Sequence, residues 1–212
     1  GSLDQYGVVG HPVSQSWSPF IHGLFARQTD QALTYRLYDI APAQFRGEVL
    51  EFFAHGGRGL NVTVPHKEAA ADLANELSAR AERAGAVNTL MLQGDHHLIG
   101  DNTDGAGLVR DLERNLRVPV ADRRILILGA GGAARGVLGP LLDLQPAELV
   151  LANRGADRAI NLATLFADLG AVRGCGFADL SGEPFDLVIN ATSAALTGGV
   201  PDVSPSIVGR DT

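Results

Sequence analysis

The stretch "RILILGAGGAARG", Arg124 to Gly136, decides the fold. Ile125 to Leu128 form an unbroken apolar run, which suits a strand buried on both faces of a parallel sheet. A glycine-rich turn follows, and then a helical stretch. Gly129, Gly131 and Ala134 stand in a G-x-G-x-x-A arrangement between strand and helix, the context in which that spacing holds a dinucleotide. The first glycine permits the tight turn, the second lets the backbone approach a pyrophosphate, and Ala134 lets helix and strand pack closely. The helix start then faces the negative charge with unpaired N–H groups. The candidate loop is Gly129, Ala130, Gly131, Gly132, Ala133 and Ala134.

Working toward the C-terminus, the pattern predicts a helix over 132–144, a strand over 148–152, a helix over 156–169, and strands over 171–175 and 185–190. Such alternation implies a mostly parallel sheet with helices on both faces. In versions of this fold that bind NAD, an acid ends the second strand and bonds the ribose 2′-hydroxyl. Here "ELVLANRGADR" puts Asn153 at that place, with Arg154 beside it and Arg158 four residues on. Losing the acid removes repulsion, and two guanidinium groups offer bidentate partners for a 2′-phosphate. The pattern favours NADP.

Working toward the N-terminus, the pattern resets near 117–122. Before it, "YGVVG" (6–10) and "LTYRLYDI" (33–40) read as strands. Ser18-Pro19 opens a helix to about Gln28, and Pro42 opens another carrying Phe45, Val49, Phe52 and Phe53. "GLNVTVPHKEAA" (59–70) reads as a strand from Leu60 to Val64, then Pro65, then a helix beginning near His66. Ser78 caps a short helix to Ala84, and residues 86–93 and 97–100 form a hairpin around Gly94-Asp95. Leu108, Leu112 and Leu116 fall at helical spacing. Lys67 is the odd residue: it stands in the first turn of a helix, where the unpaired N–H groups disfavour a cation.

The remaining polar residues collect at strand ends and loop tips, where open α/β sheets bind ligands. They are Ser16 and Ser18 in "SQSWSP", Asn61 and Thr63, Asn88 in "GAVNT", and Asp101 and Asp104 in "DNTDG". Ser18 and Asp104 are also competent helix caps, and Asn61 could equally be a turn residue. Together, hydroxyls, amides, carboxylate and lysine suit a polyhydroxylated acid.

Composition narrows the classes. The chain has 212 residues and a net charge of -7, with no basic stripe for nucleic acid. Cys175 is its one cysteine, so no intrachain disulfide forms and a reducing compartment, the cytoplasm, is expected. No run has transmembrane length, so no membrane partner is expected. The six histidines show no zinc-ligand spacing, and no metal is expected.

In order along the chain, "GHPVSQSWSPFIH", "GLNVTVPHK", "AGAVNT", "GDNTDGAG", "GAGGAARG", "ANR" and "NATS" resemble the shikimate dehydrogenase family, from Tyr6 to about Ser193. The resemblance implies an α/β protein with an N-terminal substrate domain (1–103), a connecting helix and linker (104–122) and a Rossmann-type NADP-binding domain (123–212). It implies reduction of 3-dehydroshikimate to shikimate with NADPH in aromatic amino-acid biosynthesis, in a cleft between the domains. It assigns the substrate carboxylate to Ser16 and Ser18, further substrate contacts to Asn61, Thr63 and Asn88, and catalysis to Lys67 and Asp104. It gives the adenosine phosphate to Asn153, Arg154 and Arg158, and a place near the cofactor to Thr192. A lysine disfavoured as a cation can surrender a proton to a developing alkoxide, which gives Lys67 a chemical reason. The resemblance leaves open a homodimer, quinate as substrate, NAD as cofactor, and a non-catalytic module that binds shikimate or a nucleotide.

Some positions depart from the family's pattern. Gln15, Trp17 and Gly23 replace its usual residues in the first motif, and Gly155 replaces a threonine after Arg154. Ser204 to Thr212 match none of the family's later elements, so the chain is expected to stop short of the family's full length.

Overall fold

A computed structural model describes residues 4–13, 33–180, 182, 184–193 and 205–207. The chain divides into two compact units, Gly1–Thr103 and Asp104–Thr212. Among the described residues, no helix is long and apolar enough to cross a membrane.

The first unit runs β1 (Asp4–Gly10), β2 (Leu33–Asp39), α1 (Phe45–Ala54), β3 (Gly57–Val62), α2 (Lys67–Leu73), β4 (Glu76–Leu77), α3 (Ala79–Ala84), β5 (Thr89–Gln93) and β6 (His97–Asp101). Its sheet has the order β2-β1-β3-β5-β6-β4. The β1, β2 and β3 strands are parallel, and the β5–β6 hairpin joins antiparallel to β3. Side chains alternate across the sheet. Val9, Leu60, Val62 and Leu90 bury one face against Phe45, Val49 and Phe53, one stripe of α1. Ser78 caps α3 by accepting a bond from the Ala81 amide, and Gly85 ends that helix in the left-handed region at φ 60°.

Two expectations shift. The β3 strand starts at Gly57, because its parallel pairing with β1 reaches back to Gln5. It ends at Val62; beyond it the Thr63 amide bonds the Val9 carbonyl and the Val64 carbonyl accepts from the His11 amide, before the chain turns to His66. The β5 strand begins at Thr89 rather than Ala86, because the Val87 amide leaves the ladder and bonds the Lys67 carbonyl at 2.8 Å.

The second unit opens with α4 (Asp104–Arg110), which widens into a π-helical turn over Asp111–Leu116. That widening breaks the 3.6-residue register. Leu112 is buried while Leu116 is 60% exposed, so the expected three-leucine stripe loses its last member. Then come β7 (Arg124–Leu128), α5 (Gly132–Asp143), β8 (Glu148–Asn153), α6 (Ala156–Phe166), β9 (Val172–Gly176) and β10 (Leu187–Asn190). All four strands are parallel in the order β10-β7-β8-β9. The chain therefore moves outward from β7 to β9 and returns to the other side of β7. That reversal makes a switch point beside the C-terminal end of β7, where open α/β sheets bind ligands.

Alternate residues of β7 and β8 feed two cores. Ile125, Ile127, Leu149 and Leu151 pack with Val137, Leu138, Leu141, Leu162 and Phe166 of α5 and α6. Leu126, Leu128, Val150 and Ala152 pack with Phe185 and Ile207. Both helices lie on one face because successive right-handed crossovers in one direction place them there. The expectation of helices on both faces is thus realised, among the described residues, with α5 and α6 on one face and a short 3-10 helix, Pro205–Ile207, on the other.

Close packing of α6 on β9 sets a test. A Cβ on Gly174 would lie 2.3 Å from the Ala159 carbonyl carbon and oxygen, backbone atoms that cannot step aside. A Cβ on Gly139, inside α5, would make an ordinary 3.6 Å contact with Phe166. In urea denaturation, Gly174→Ala is expected to destabilise the protein by about 1–3 kcal/mol. Gly139→Ala is expected to be neutral or to stabilise it by up to about 1 kcal/mol, from helix propensity.

Candidate functional site

In the second unit the glycine loop is closed at one end and open at the other. Gly129 has φ +107°, and its amide bonds the Ala152 carbonyl at 2.7 Å. A Cβ there would sit 2.9 Å from the Ala191 carbonyl oxygen and 3.2 Å from the Thr192 amide. The loop after β7 and the loop after β10 therefore touch, tied further by Ala191 N–H to Leu128 carbonyl at 2.8 Å. Gly131 caps α5 in extended conformation, and nothing stands within 4 Å of where its Cβ would be. Ala134 is fully buried in the first turn. The result is an open cradle at the start of a 12-residue helix, lined by backbone N–H groups. It fits an anionic pyrophosphate in shape and in field.

Beside it, the Asn153 amide donates to the Gly155 carbonyl at 3.1 Å and shapes the turn into α6. Arg154 and Arg158 flank that turn, both exposed. Asn153, an amide rather than a carboxylate, ends β8. Thr192 is fixed by Asn190, whose side-chain oxygen accepts from both the Thr192 amide (3.1 Å) and its hydroxyl (2.6 Å). Sequence reasoning missed Asn190, although an asparagine two residues ahead is a recurrent turn signal.

In the first unit one backbone joint gathers several polar side chains. The Val62 amide bonds the Asn88 carbonyl at 2.7 Å, the Asn88 amide bonds the Asp101 carbonyl at 3.0 Å, and Val87 bonds Lys67 as above. Asn61, Thr63, Lys67 and Asn88 thus stand near the C-terminal end of β3, each half-buried. Asn61 accepts a 2.7 Å bond from the Tyr35 hydroxyl. It also borders a cavity of about 230 Å³ with Tyr6, Leu33, Tyr35, Thr89 and Met91. A larger hollow beside Tyr38, Phe52 and His55 includes none of the candidate residues. The Asn88 side chain is clasped by Thr103, donating to its hydroxyl at 2.8 Å and accepting from its amide at 3.1 Å.

Lys67 is the first residue of α2, and His66 before it is buried. His66 Nε2 donates to the Ile40 carbonyl at 2.6 Å, and the ring stacks on Phe45 at 4.5 Å. Burial pushes the His66 pKa below its ordinary value, so the ring is held neutral. Sequence reasoning gave His66 no role, because its partners lie more than twenty residues away.

Asp101 turns out to be structural. Arg80 grips it with two bonds of 2.7 and 2.6 Å, and Ser78 adds one of 2.7 Å. The Arg80 guanidinium holds its carboxyl well below the usual carboxylate range. Asp104 is the first residue of α4, half-buried, in the second unit. Ser16 and Ser18 lie outside the described residues.

Comparison with known proteins places both units. Residues 8–90 match the model of the shikimate dehydrogenase substrate binding domain, and residues 112–197 match the shikimate / quinate 5-dehydrogenase model. The chain is 56% identical over 209 residues to an NADP(+) shikimate dehydrogenase of Aeromonas hydrophila, spanning 99% of this chain and 76% of that protein. Its fold superposes on shikimate dehydrogenase of Aquifex aeolicus with a TM-score of 0.83 at 30% identity, covering 99% of this chain and 76% of that one. It superposes on shikimate 5-dehydrogenase of Thermus thermophilus, solved with NADP(H) and shikimate, with a TM-score of 0.76 at 32% identity, covering 90% and 69%.

The buried neutral His66 carries a pH dependence. A histidine whose folded pKa is lowered binds fewer protons folded than unfolded, so its contribution is full above about 6.5 and is lost as pH falls below that value. The lowered Asp39 carboxyl, bonded by His11, acts only below its ordinary value of 3.8, in a separate window. Melting temperature is therefore expected to fall as pH drops below about 6.5. In His66→Gln, whose amide still reaches toward the Ile40 carbonyl, that part of the curve should flatten.

Proposed function

The chain belongs to the shikimate dehydrogenase family, and we propose that Lys67 and Asp104 carry its acid–base chemistry. It is an NADP-dependent oxidoreductase that interconverts 3-dehydroshikimate and shikimate, a step of aromatic amino-acid biosynthesis. When bound, NADPH supplies the hydride to the ketone carbon. As the ketone oxygen gains negative charge, the Lys67 ammonium gives it a proton; in the reverse direction the neutral amine takes the hydroxyl proton. Asp104 accepts a hydrogen bond from the reacting partners and orients them. Asn61, Thr63 and Asn88 bond the ring hydroxyls, and Ser16 and Ser18 hold the carboxylate. Residues 1–103 form the substrate domain and 123–212 the NADP domain, joined through 104–122.

The observation that carries this reading is the backbone joint at the end of β3. Bonds from Val87 to Lys67 and from Val62 to Asn88 bring the lysine and three substrate-binding candidates to one sheet end. On the cofactor side, Gly129 to Ala134 receive the pyrophosphate, with Thr192 alongside. Asn153, Arg154 and Arg158 receive the 2′-phosphate, which supports NADP over NAD. The family description of the second unit also names quinate, and substrate pairs distinguish the two.

Absorbance at 340 nm with shikimate or quinate, each with NADP or NAD, tests the assignment; shikimate with NADP should turn over fastest. Activity with neither substrate would leave only a binding module. Lys67→Ala is expected to cut kcat by about a hundredfold or more, the scale of a positioned acid–base group. Little change in turnover would remove Lys67 from the mechanism. Arg154→Ala is expected to raise the KM for NADP roughly tenfold or more while leaving the KM for NAD nearly unchanged, since the lost bond is to a charged phosphate.

A further inference from the structure

Both substrate-facing amides of the first unit have their oxygen occupied by a hydroxyl of the protein. Tyr35 donates to Asn61 Oδ1 at 2.7 Å, and Thr89 donates to Asn88 Oδ1 at 3.1 Å. The Tyr35 bond crosses a strand. Tyr35 lies on β2 and Asn61 on β3, with β1 between them. Tyr35 pairs with Tyr6, Tyr6 with Gly59, and Val8 with Asn61, so Tyr35 and Asn61 share a sheet face. The tyrosine reaches over β1 to touch the amide. Asn61 and Thr89 are themselves partners in the β3–β5 register.

We propose that Tyr35 is a positioning residue that sets the orientation of the Asn61 amide and thereby makes it a donor toward the substrate. A carboxamide has a broad, nearly two-fold torsion, and its two ends present opposite hydrogen-bonding character. A phenol hydroxyl donating to Oδ1 selects one of the two orientations. The N–H groups are then the end that remains for a ligand. An Asn61 amide that presents N–H donors reads oxygen acceptors, which suits hydroxyl and carboxylate oxygens of a polyhydroxylated acid. Without the Tyr35 bond the amide turns between the two states, and part of the population offers a carbonyl oxygen where a donor is needed.

The inference rests on the substrate-binding role given to Asn61 above, and a double-mutant cycle separates the two. Tyr35→Phe, Asn61→Ala and the double variant are assayed with shikimate and NADP, alongside their melting temperatures. Tyr35→Phe keeps the ring, so the sheet face stays covered and the melting temperature should hold. It is expected to raise the KM for shikimate about three- to tenfold, the scale of one lost hydrogen bond. The KM for NADP should stay within about twofold. In the Asn61→Ala background the same Tyr35→Phe change should have no further effect on the KM for shikimate. A Tyr35→Phe effect of equal size in both backgrounds overturns the inference, since the tyrosine then acts otherwise than through Asn61. A Tyr35→Phe variant with unchanged KM, beside an Asn61→Ala variant with raised KM, overturns it while leaving the role of Asn61 standing. An unchanged KM in Asn61→Ala removes Asn61 from the substrate site and takes the inference with it.

Discussion

The first unit depends on how its third strand ends. Past Val62 the backbone groups still need partners. The Thr63 amide takes the Val9 carbonyl, the Val62 amide takes the Asn88 carbonyl, and the turn closes through His66 N–H to the Thr63 carbonyl. The α2 helix follows directly, and its first carbonyl, that of Lys67, accepts the Val87 amide. Main-chain groups rather than side chains thus fix where Lys67 and Asn88 stand. The Asn88 side chain is then held in place by Thr103 and Thr89.

The second unit solves a similar problem with glycine. At the end of β7 the chain must turn while lying against the loop that leaves β10. Only a residue without Cβ fits 2.9 Å from the Ala191 carbonyl oxygen at φ +107°. The same contact brings Thr192 to the mouth of the loop, and the reversal of strand order at β7 leaves that mouth uncovered by sheet. Fold and cradle follow from one backbone approach.

Much of this was legible in the sequence wherever the cause is local. The β7 strand, its glycine turn and α5 declare themselves through apolar run, glycine spacing and helix formers within thirteen residues. Ser78 declares a cap, and the hairpin declares its turn at Gly94. What stayed hidden depends on partners far along the chain. Asp101 and Asp104 look equivalent in "DNTDG", yet Asp101 is consumed by Arg80, twenty-one residues earlier. His66 looks like a surface residue beside Lys67 until Ile40 and Phe45 fold over it. The Tyr35 hydroxyl finds Asn61 only because β1 inserts between their strands. The shortfall of Leu116 has a different origin, the change of helical pitch at Asp111, which apolar spacing does not encode.

The central claim is that one small polyhydroxylated acid is held at the end of β3 by Asn61, Thr63, Lys67 and Asn88. A crystal structure of the protein soaked with shikimate tests it most directly. The account predicts ligand density bounded by these four residues, with Lys67 Nζ within about 3.2 Å of a ring hydroxyl oxygen. Shikimate bound elsewhere, for instance in the hollow beside Tyr38, Phe52 and His55, with all four side chains untouched, would contradict it.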